Sequence, residues 1–179
     1  MNTLKALINN QFPATELVEG ENLSIEVAPG ELRELVGFLY NYAPHPFDYL
    51  VYLIGTDDGE NLGVTYLLSS SVQSSIQIIL KTSTPDRVNP LLYTVTDFYE
   101  TAHFNEREVY AMYGIRFINN PDMRRFLLND SWNGFPLRKD YNPDETLNPL
   151  SVESKDVVDL APRIMEVNGA FVEETVRVF

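Results

Sequence analysis

Three apolar segments constrain this chain more than anything else in it: FDYLVYLIGT (47–56), LGVTYLLSS (62–70) and SSIQIILKTST (74–84). Each is rich in β-branched and aromatic residues, and the third alternates Ile76, Ile78 and Leu80 with the period of a strand. Asp58-Gly59 is a turn signal between the first two, and the polar SSSVQSS joins the second to the third. Strands this close in sequence pair as an antiparallel meander, which leaves one face to be covered by other elements.

Helical candidates for that cover lie on both sides. Residues 3–10 read as a short helix ending before Pro13, and LSIEV (23–27) reads as a further strand. APGELRELVGFLYNY (28–42) places Pro29 near a first turn. There Leu32, Leu35, Val36 and Leu39 form an apolar stripe at helical spacing, which the prolines of YAPHPF terminate. The aromatic residues Tyr40, Tyr42, Phe47, Tyr49 and Tyr52 have no basic residues among them, so they read as core and sheet-face aromatics rather than a nucleic-acid stacking platform. Residues 89–117 are expected to be mostly helical, with Tyr99, Ala102, His103, Glu106 and Tyr110 on one face and Gly114 as the stop. The expected fold class is α+β: a mainly antiparallel sheet with helices packed on one face, over residues 1–117.

From about Asn119 the character changes. Prolines at 121, 136, 143, 149 and 162 break the chain into pieces too short for helices or long strands, a Pro-rich irregular C-terminal arm over 118–179. Its last piece, RIMEVNGAFVEETVRVF, reads as two strands around a turn at Asn168-Gly169.

Charge now becomes informative. The chain has a formal net charge of -13. Yet six of its thirteen Lys and Arg (Arg107, Arg116, Arg124, Arg125, Arg138, Lys139) lie between 107 and 139, close to the only Trp, Trp132. The segment from Asp140 onward holds nine acidic residues against three basic ones. One reading pairs the basic arm with the acidic tail; surface ion pairs of that kind contribute about 0–1 kcal/mol each. The other reading gives the arm a partner, since Arg forks and Trp are favoured interface anchors.

Several chemistries lack their residues. There are no cysteines and only two histidines, far apart, so Cys-ligated zinc, Cys-ligated iron–sulfur clusters, disulfides and thiol nucleophiles are excluded. The P-loop, EF-hand and GxGxxG patterns are absent. Nucleic acid is not an expected partner, because the acidic field repels phosphate. No apolar run reaches the ~18 residues of a membrane span. In NEREVY (105–110), Glu106 and Glu108 would point in different directions on a helix, so they do not converge on one substrate atom. His103, one turn earlier, reads as a half-buried histidine with a satisfied hydrogen bond.

NEREVYAMYGIRF, NPDMRRFLL and WNGFPLRKDY, taken together and in order, resemble the signature of the thirty-kilodalton subunit of respiratory NADH:quinone oxidoreductase (complex I). A related subunit occurs in energy-converting hydrogenase and ferredoxin-linked complexes, which is the alternative host. Ala111 stands where the family commonly has Asp, Asn119-Asn120 where Gly-His is usual, and Phe135 where His is frequent. The resemblance implies a scaffold subunit of the hydrophilic arm that binds no cofactor itself. NADH, FMN, iron–sulfur clusters and quinone would reside in partner subunits.

The implied partners are the large quinone-site subunit and iron–sulfur subunits, on the cytoplasmic side of the inner membrane and peripheral to it. Partner-binding residues expected on this basis are Glu106, Arg107, Glu108, Arg124, Arg125, Trp132, Pro136, Leu137, Arg138, Lys139 and Asp140. Phe126, Leu127, Leu128 and Phe135 would be apolar anchors, open to self-association when partners are missing. Charge reversal at Arg125 or Arg138 is accordingly expected to release the subunit while residues 1–117 still fold.

Overall fold

The fold is described from a computed structural model covering residues 2–20, 22–129, 132–143, 163–167 and 170–174, the last two segments by backbone alone. In chain order the elements begin with α1 (Asn2–Gln11), β1 (Glu16–Val18), β2 (Leu23–Glu26) and α2 (Leu32–Tyr40). The meander follows as β3 (Tyr49–Asp57), β4 (Leu62–Ser69) and β5 (Gln77–Thr84). Then come β6 (Leu91–Tyr93), α3 (Ala102–Tyr113), β7 (Arg116–Ile118), β8 (Arg163–Val167) and β9 (Ala170–Glu174).

The meander forms as its alternation requires, and β2 joins β5 in parallel to give a five-stranded sheet of order β1-β2-β5-β4-β3. Leu53, Tyr66, Leu80 and Ile25 lie opposite one another across four strands and are all buried. Leu4 and Ile8 of α1 and the Leu32, Leu35, Val36 and Leu39 stripe of α2 complete this core. Each such side chain, fully buried, contributes about 1.5–3 kcal/mol. The other face of the sheet carries Ser24, Thr65, Ile79 and Ile54, all partly or fully exposed. The helices therefore cover one face, as the sequence predicts.

Residues 89–117 depart from the expected long helix. Only Ala102–Tyr113 is helical; Leu91–Tyr93 and Arg116–Ile118 are strands that pair in parallel with each other. Pro90 and the β-branched run Thr94-Val95-Thr96 disfavour a helix there, but the deciding partner, β7, lies 25 residues further on and is invisible to local periodicity. The three-residue β1 has no local signal either. Gly114 ends α3 as expected: its φ of 75° is left-handed, and its N–H donates to Tyr110 O at 2.8 Å. The strands β8 and β9 pair antiparallel, while the expected turn at Asn168-Gly169 lies outside the described residues, as do residues 144–162 of the arm.

Candidate functional site

The N-E-R-E motif lies on α3, and the helix sends its three charged side chains three ways. Glu106 points into the body and is fully buried. Its Oε2 accepts from Thr94 Oγ1 and Asn120 Nδ2, both at 2.7 Å, and its Oε1 accepts from Val95 N–H at 2.9 Å. One carboxylate thus joins the segment after β6, helix α3 and the turn after β7. Burial pushes its pKa up to about 7, opposed by those three hydrogen bonds. Beside it, the Tyr66 hydroxyl is buried without a partner among the described residues, and burial together with the Glu106 charge holds its pKa well above the usual range.

This corrects the expectation for Glu106 as a partner-binding residue. Its acceptor capacity is spent on its own chain, and no surface presents it. Glu108, two positions on, is exposed. His103 is half-buried as expected, but its Nδ1 is enclosed without a hydrogen-bond partner among the described residues.

Arg107 turns toward the turn at 122–126. Its Nε donates to Arg124 O at 3.1 Å, Asp122 lies 3.7 Å from its guanidinium, and the Phe126 ring sits 5.4 Å beneath it. Asp122 in turn takes two hydrogen bonds from the Arg124 side chain, at 2.9 and 2.7 Å. These hydrogen bonds hold its carboxyl below the usual range despite partial burial. Phe104 packs against Phe126, their rings tilted with centroids 6.3 Å apart, and is 56% exposed, and Leu127 is 64% exposed. Leu127 also adopts φ 70°, a left-handed conformation that costs a non-glycine residue roughly 1 kcal/mol or more. Aromatic, aliphatic and cationic groups therefore share one outward surface.

The LRKD segment behaves differently: it is sewn to the body. Arg138 Nε donates to Tyr113 O at 2.5 Å and Nη1 to Arg87 O at 2.8 Å. Leu137 N–H donates to Met112 O, and Lys139 N–H to Asp57 Oδ2 at 2.8 Å. Lys139 Nζ reaches Asp58 O at 2.9 Å. Asp57, its side chain almost fully enclosed, also receives a two-pronged contact from Arg87 at 2.7 and 2.9 Å. That pairing holds its carboxyl well below the usual range. Asp140 approaches Arg87 from outside at 3.1 Å.

Phe135 lies between two guanidiniums, Arg138 at 4.6 Å and Arg125 at 5.3 Å, with the Tyr110 ring edge-on at 6.2 Å. Arg125 Nη1 also donates to Gly134 O at 3.3 Å. Pro136 and Trp132 are half-buried, and the indole Nε1 of Trp132 is enclosed with no acceptor among the described residues. Arg138 therefore bonds to its own fold at Tyr113 and Arg87, both within the residues 1–117 expected to fold without it. The basic side chains Arg124, Arg125, Arg138 and Lys139 are met by Asp122 and by backbone carbonyls. The acidic groups expected in the tail beyond Asp140 lie outside the described side chains.

A family model described as respiratory-chain NADH dehydrogenase, 30 Kd subunit, matches residues 25–147. The chain belongs to that family. The NADH-quinone oxidoreductase C/D subunit of Phocaeicola vulgatus is 46% identical over 134 residues, 74% of this chain and 25% of that protein. The corresponding C-type subunit of Chloroherpeton thalassium is 39% identical over 107 residues, 59% of this chain and 44% of that protein. That of Herpetosiphon aurantiacus is 32% identical over 144 residues, 78% of this chain and 82% of that protein. The chain spans about a quarter of the length of the C/D relatives it matches.

Two positions expected to depart from the pattern of the 30-kilodalton-subunit family have a structural reading. Asn119 adopts φ 67°, a conformation that Asn tolerates better than most residues. Phe135 offers two guanidiniums the face of a neutral ring, which a protonated imidazole would not do. Among the described residues, no cluster of three or more His, Asp or Glu is placed to hold a metal ion, and no helix is long and apolar enough to cross a membrane.

Proposed function

We propose that this chain is a non-catalytic scaffold subunit of the hydrophilic arm of an NADH–quinone oxidoreductase, docked on the large quinone-site subunit. Family membership supports the assembly, and the C/D relatives carry this region within a much longer chain. The observation that supports docking is the outward surface around Leu127. A strained backbone there displays Leu127 three residues from the exposed Arg124 guanidinium, and the exposed Phe104 ring packs on the preceding residue, Phe126, which together have the composition of an interface anchor.

In this reading NADH, FMN, iron–sulfur clusters and quinone are held by partner subunits, and the chain reaches the membrane only through them. Residues 118–179 form the partner-binding arm, with contact made by Arg107, Glu108, Arg124, Arg125, Trp132, Lys139 and Asp140 along its outward side. Arg138, Pro136 and Leu137 hold that arm against the body, and Glu106 fixes the two segments that flank α3. The subunit thereby maintains the shape of the arm, while electron transfer and its coupling to ion movement belong to the assembly.

Affinity purification of the tagged full chain from its native membrane extract, with mass spectrometric identification of the co-purifying chains, tests the reading. The expected result is recovery of the large quinone-site and iron–sulfur subunits, with strong loss of both in an Arg124→Glu, Leu127→Asp variant that melts like wild type. Recovery of the chain alone, or of the variant with its full set of partners, overturns it.

A further inference from the structure

Asparagine followed by glycine is the pair most open to attack by its own backbone, because glycine offers an N–H with no side chain in front of it. Among the described residues the pair occurs once, as Asn133-Gly134; the chain's other Asn-Gly, Asn168-Gly169, lies outside them. Asn133 and Gly134 are both exposed, between Trp132 and Pro136. Gly134 adopts φ 79°, a left-handed conformation that side-chain-bearing residues resist, so the backbone here demands a glycine after Asn133. Its N–H donates to no acceptor among the described residues.

Elsewhere the following residue disarms the asparagine. Asn89, Asn120 and Asn142 precede prolines, which have no N–H to attack with. Tyr42 N–H, after Asn41, donates to Leu39 O, and Asn120 N–H, after Asn119, donates to Phe117 O, both at 3.2 Å. Asn105 precedes Glu106 within α3, where the amide belongs to the helical ladder. Asp58-Gly59, the acidic counterpart, is held as well, since Gly59 N–H donates to Asp57 Oδ1 at 2.8 Å. Of these pairs only Asn133-Gly134 combines an unhindered successor with an unengaged amide.

We propose that Asn133 is a self-modification site, converting to isoaspartate in the unassembled chain. Gly134 N attacks Cγ of Asn133; the new C–N bond closes a succinimide ring as the Cγ–Nδ2 bond breaks. The proton shed by Gly134 N leaves with the amide nitrogen as ammonia. Solvent water then opens the ring at either carbonyl, giving aspartate from one and isoaspartate from the other, with no oxidant or reductant required. In isoaspartate the main chain runs through the former side chain, which lengthens it by a methylene just before Gly134.

That lengthening falls where the arm is held. Gly134 O accepts from Arg125 Nη1 at 3.3 Å, and the Phe135 ring lies 5.3 Å from the same guanidinium. Phe135 also packs so closely on Gly114 that a Cβ there would meet its ring at 2.5 Å. An added methylene shifts these contacts, and either product puts a negative charge on the residue preceding Gly134. Resting on the assembly reading above, the altered arm no longer fits its partner, and a chain already seated is shielded from the reaction.

Peptide mapping of the full chain, incubated at neutral and mildly alkaline pH, tests the site, with fragmentation that tells isoaspartate from aspartate. The amide of Asn133 is expected to be lost, faster as pH rises because the attacking nitrogen must shed its proton, while Asn41, Asn105 and Asn119 keep theirs. Asn133→Gln, whose longer side chain cannot close the same ring, is expected to abolish isoaspartate at this position. Retention of the Asn133 amide at the level of those three, or conversion to aspartate alone, overturns the site.

Isoaspartate is then compared between chain recovered free and chain recovered within the affinity-purified assembly. Strong depletion in the assembly is expected. Equal proportions overturn the link to docking and leave both the site and the assembly reading standing. Failure of the wild-type chain to recover any partner overturns the assembly reading and the link with it, and leaves the site standing.

Discussion

Replacing Glu106 by Gln tests the central packing argument, because the change is nearly isosteric and removes only the titratable proton. The carboxyl has a pKa of about 7 in the fold against an ordinary value of 4.5. The folded state therefore binds its proton more tightly than the unfolded chain. Its contribution to stability is complete below the ordinary value and is lost as pH rises through the folded value. Between about pH 5.5 and about pH 8 the linkage amounts to about 2 kcal/mol, at ~1.4 kcal/mol per unit of pKa difference.

Glu106→Gln abolishes this slope and adds a cost that does not depend on pH. The new NH2 must face either Val95 N–H or the Thr94 and Asn120 donors, since all three now point at carboxylate oxygens. Thr94 can redirect its hydroxyl toward Thr96 Oγ1, 2.9 Å away, but the Val95 amide has no such freedom. One orphaned buried donor costs about 1–3 kcal/mol. Urea unfolding of the full chain at both pH values provides the assay. With m near ~2 kcal/mol/M, the wild-type midpoint should fall relative to that of the variant by about 1 M as pH rises. Stability curves of the two proteins that run parallel across the range would refute the buried-carboxyl argument.

Arg138→Met is expected to destabilise the isolated chain by about 2–4 kcal/mol, because it leaves the Tyr113 and Arg87 carbonyls without their charged donor and removes a cation from the Phe135 face. Urea titration without any partner measures this, and a midpoint equal to wild type would return Arg138 to a purely interfacial role. Gly55→Ala should cost about 1–3 kcal/mol, since a Cβ at that position runs into the Tyr113 ring where α3 closes on β3. Combining it with Tyr113→Ala should recover much of that loss in a double-mutant cycle. Simple addition of the two effects would mean that the ring is not what excludes the methyl.

Much of the fold was legible because its signals are local. The meander rests on alternation and on Asp58-Gly59, whose turn forms with Asp58 Oδ1 accepting from Glu60 N–H and Asn61 N–H. The α2 stripe rests on helical spacing, and the end of α3 on a glycine that accepts a positive φ. The divergence of Glu106 and Glu108 also follows from helix geometry alone. The linked motifs at 105–141 were enough to indicate the family, which the match over residues 25–147 establishes.

What one dimension could not reveal were the outcomes that depend on distant partners. Leu91–Tyr93 is a strand because β7 lies beside it, not because its own pattern demands one. Glu106 is a buried clasp because Thr94, Val95 and Asn120 converge on it from two other segments. Arg138 reads as a partner-binding cation in the sequence, and its bonds to the carbonyls of Tyr113 and Arg87 exist only when these are brought within reach. Backbone preference and side-chain period act over a few residues and are written in the chain itself. Burial and hydrogen-bond satisfaction are properties of a neighbourhood, and that neighbourhood exists only once the chain has folded.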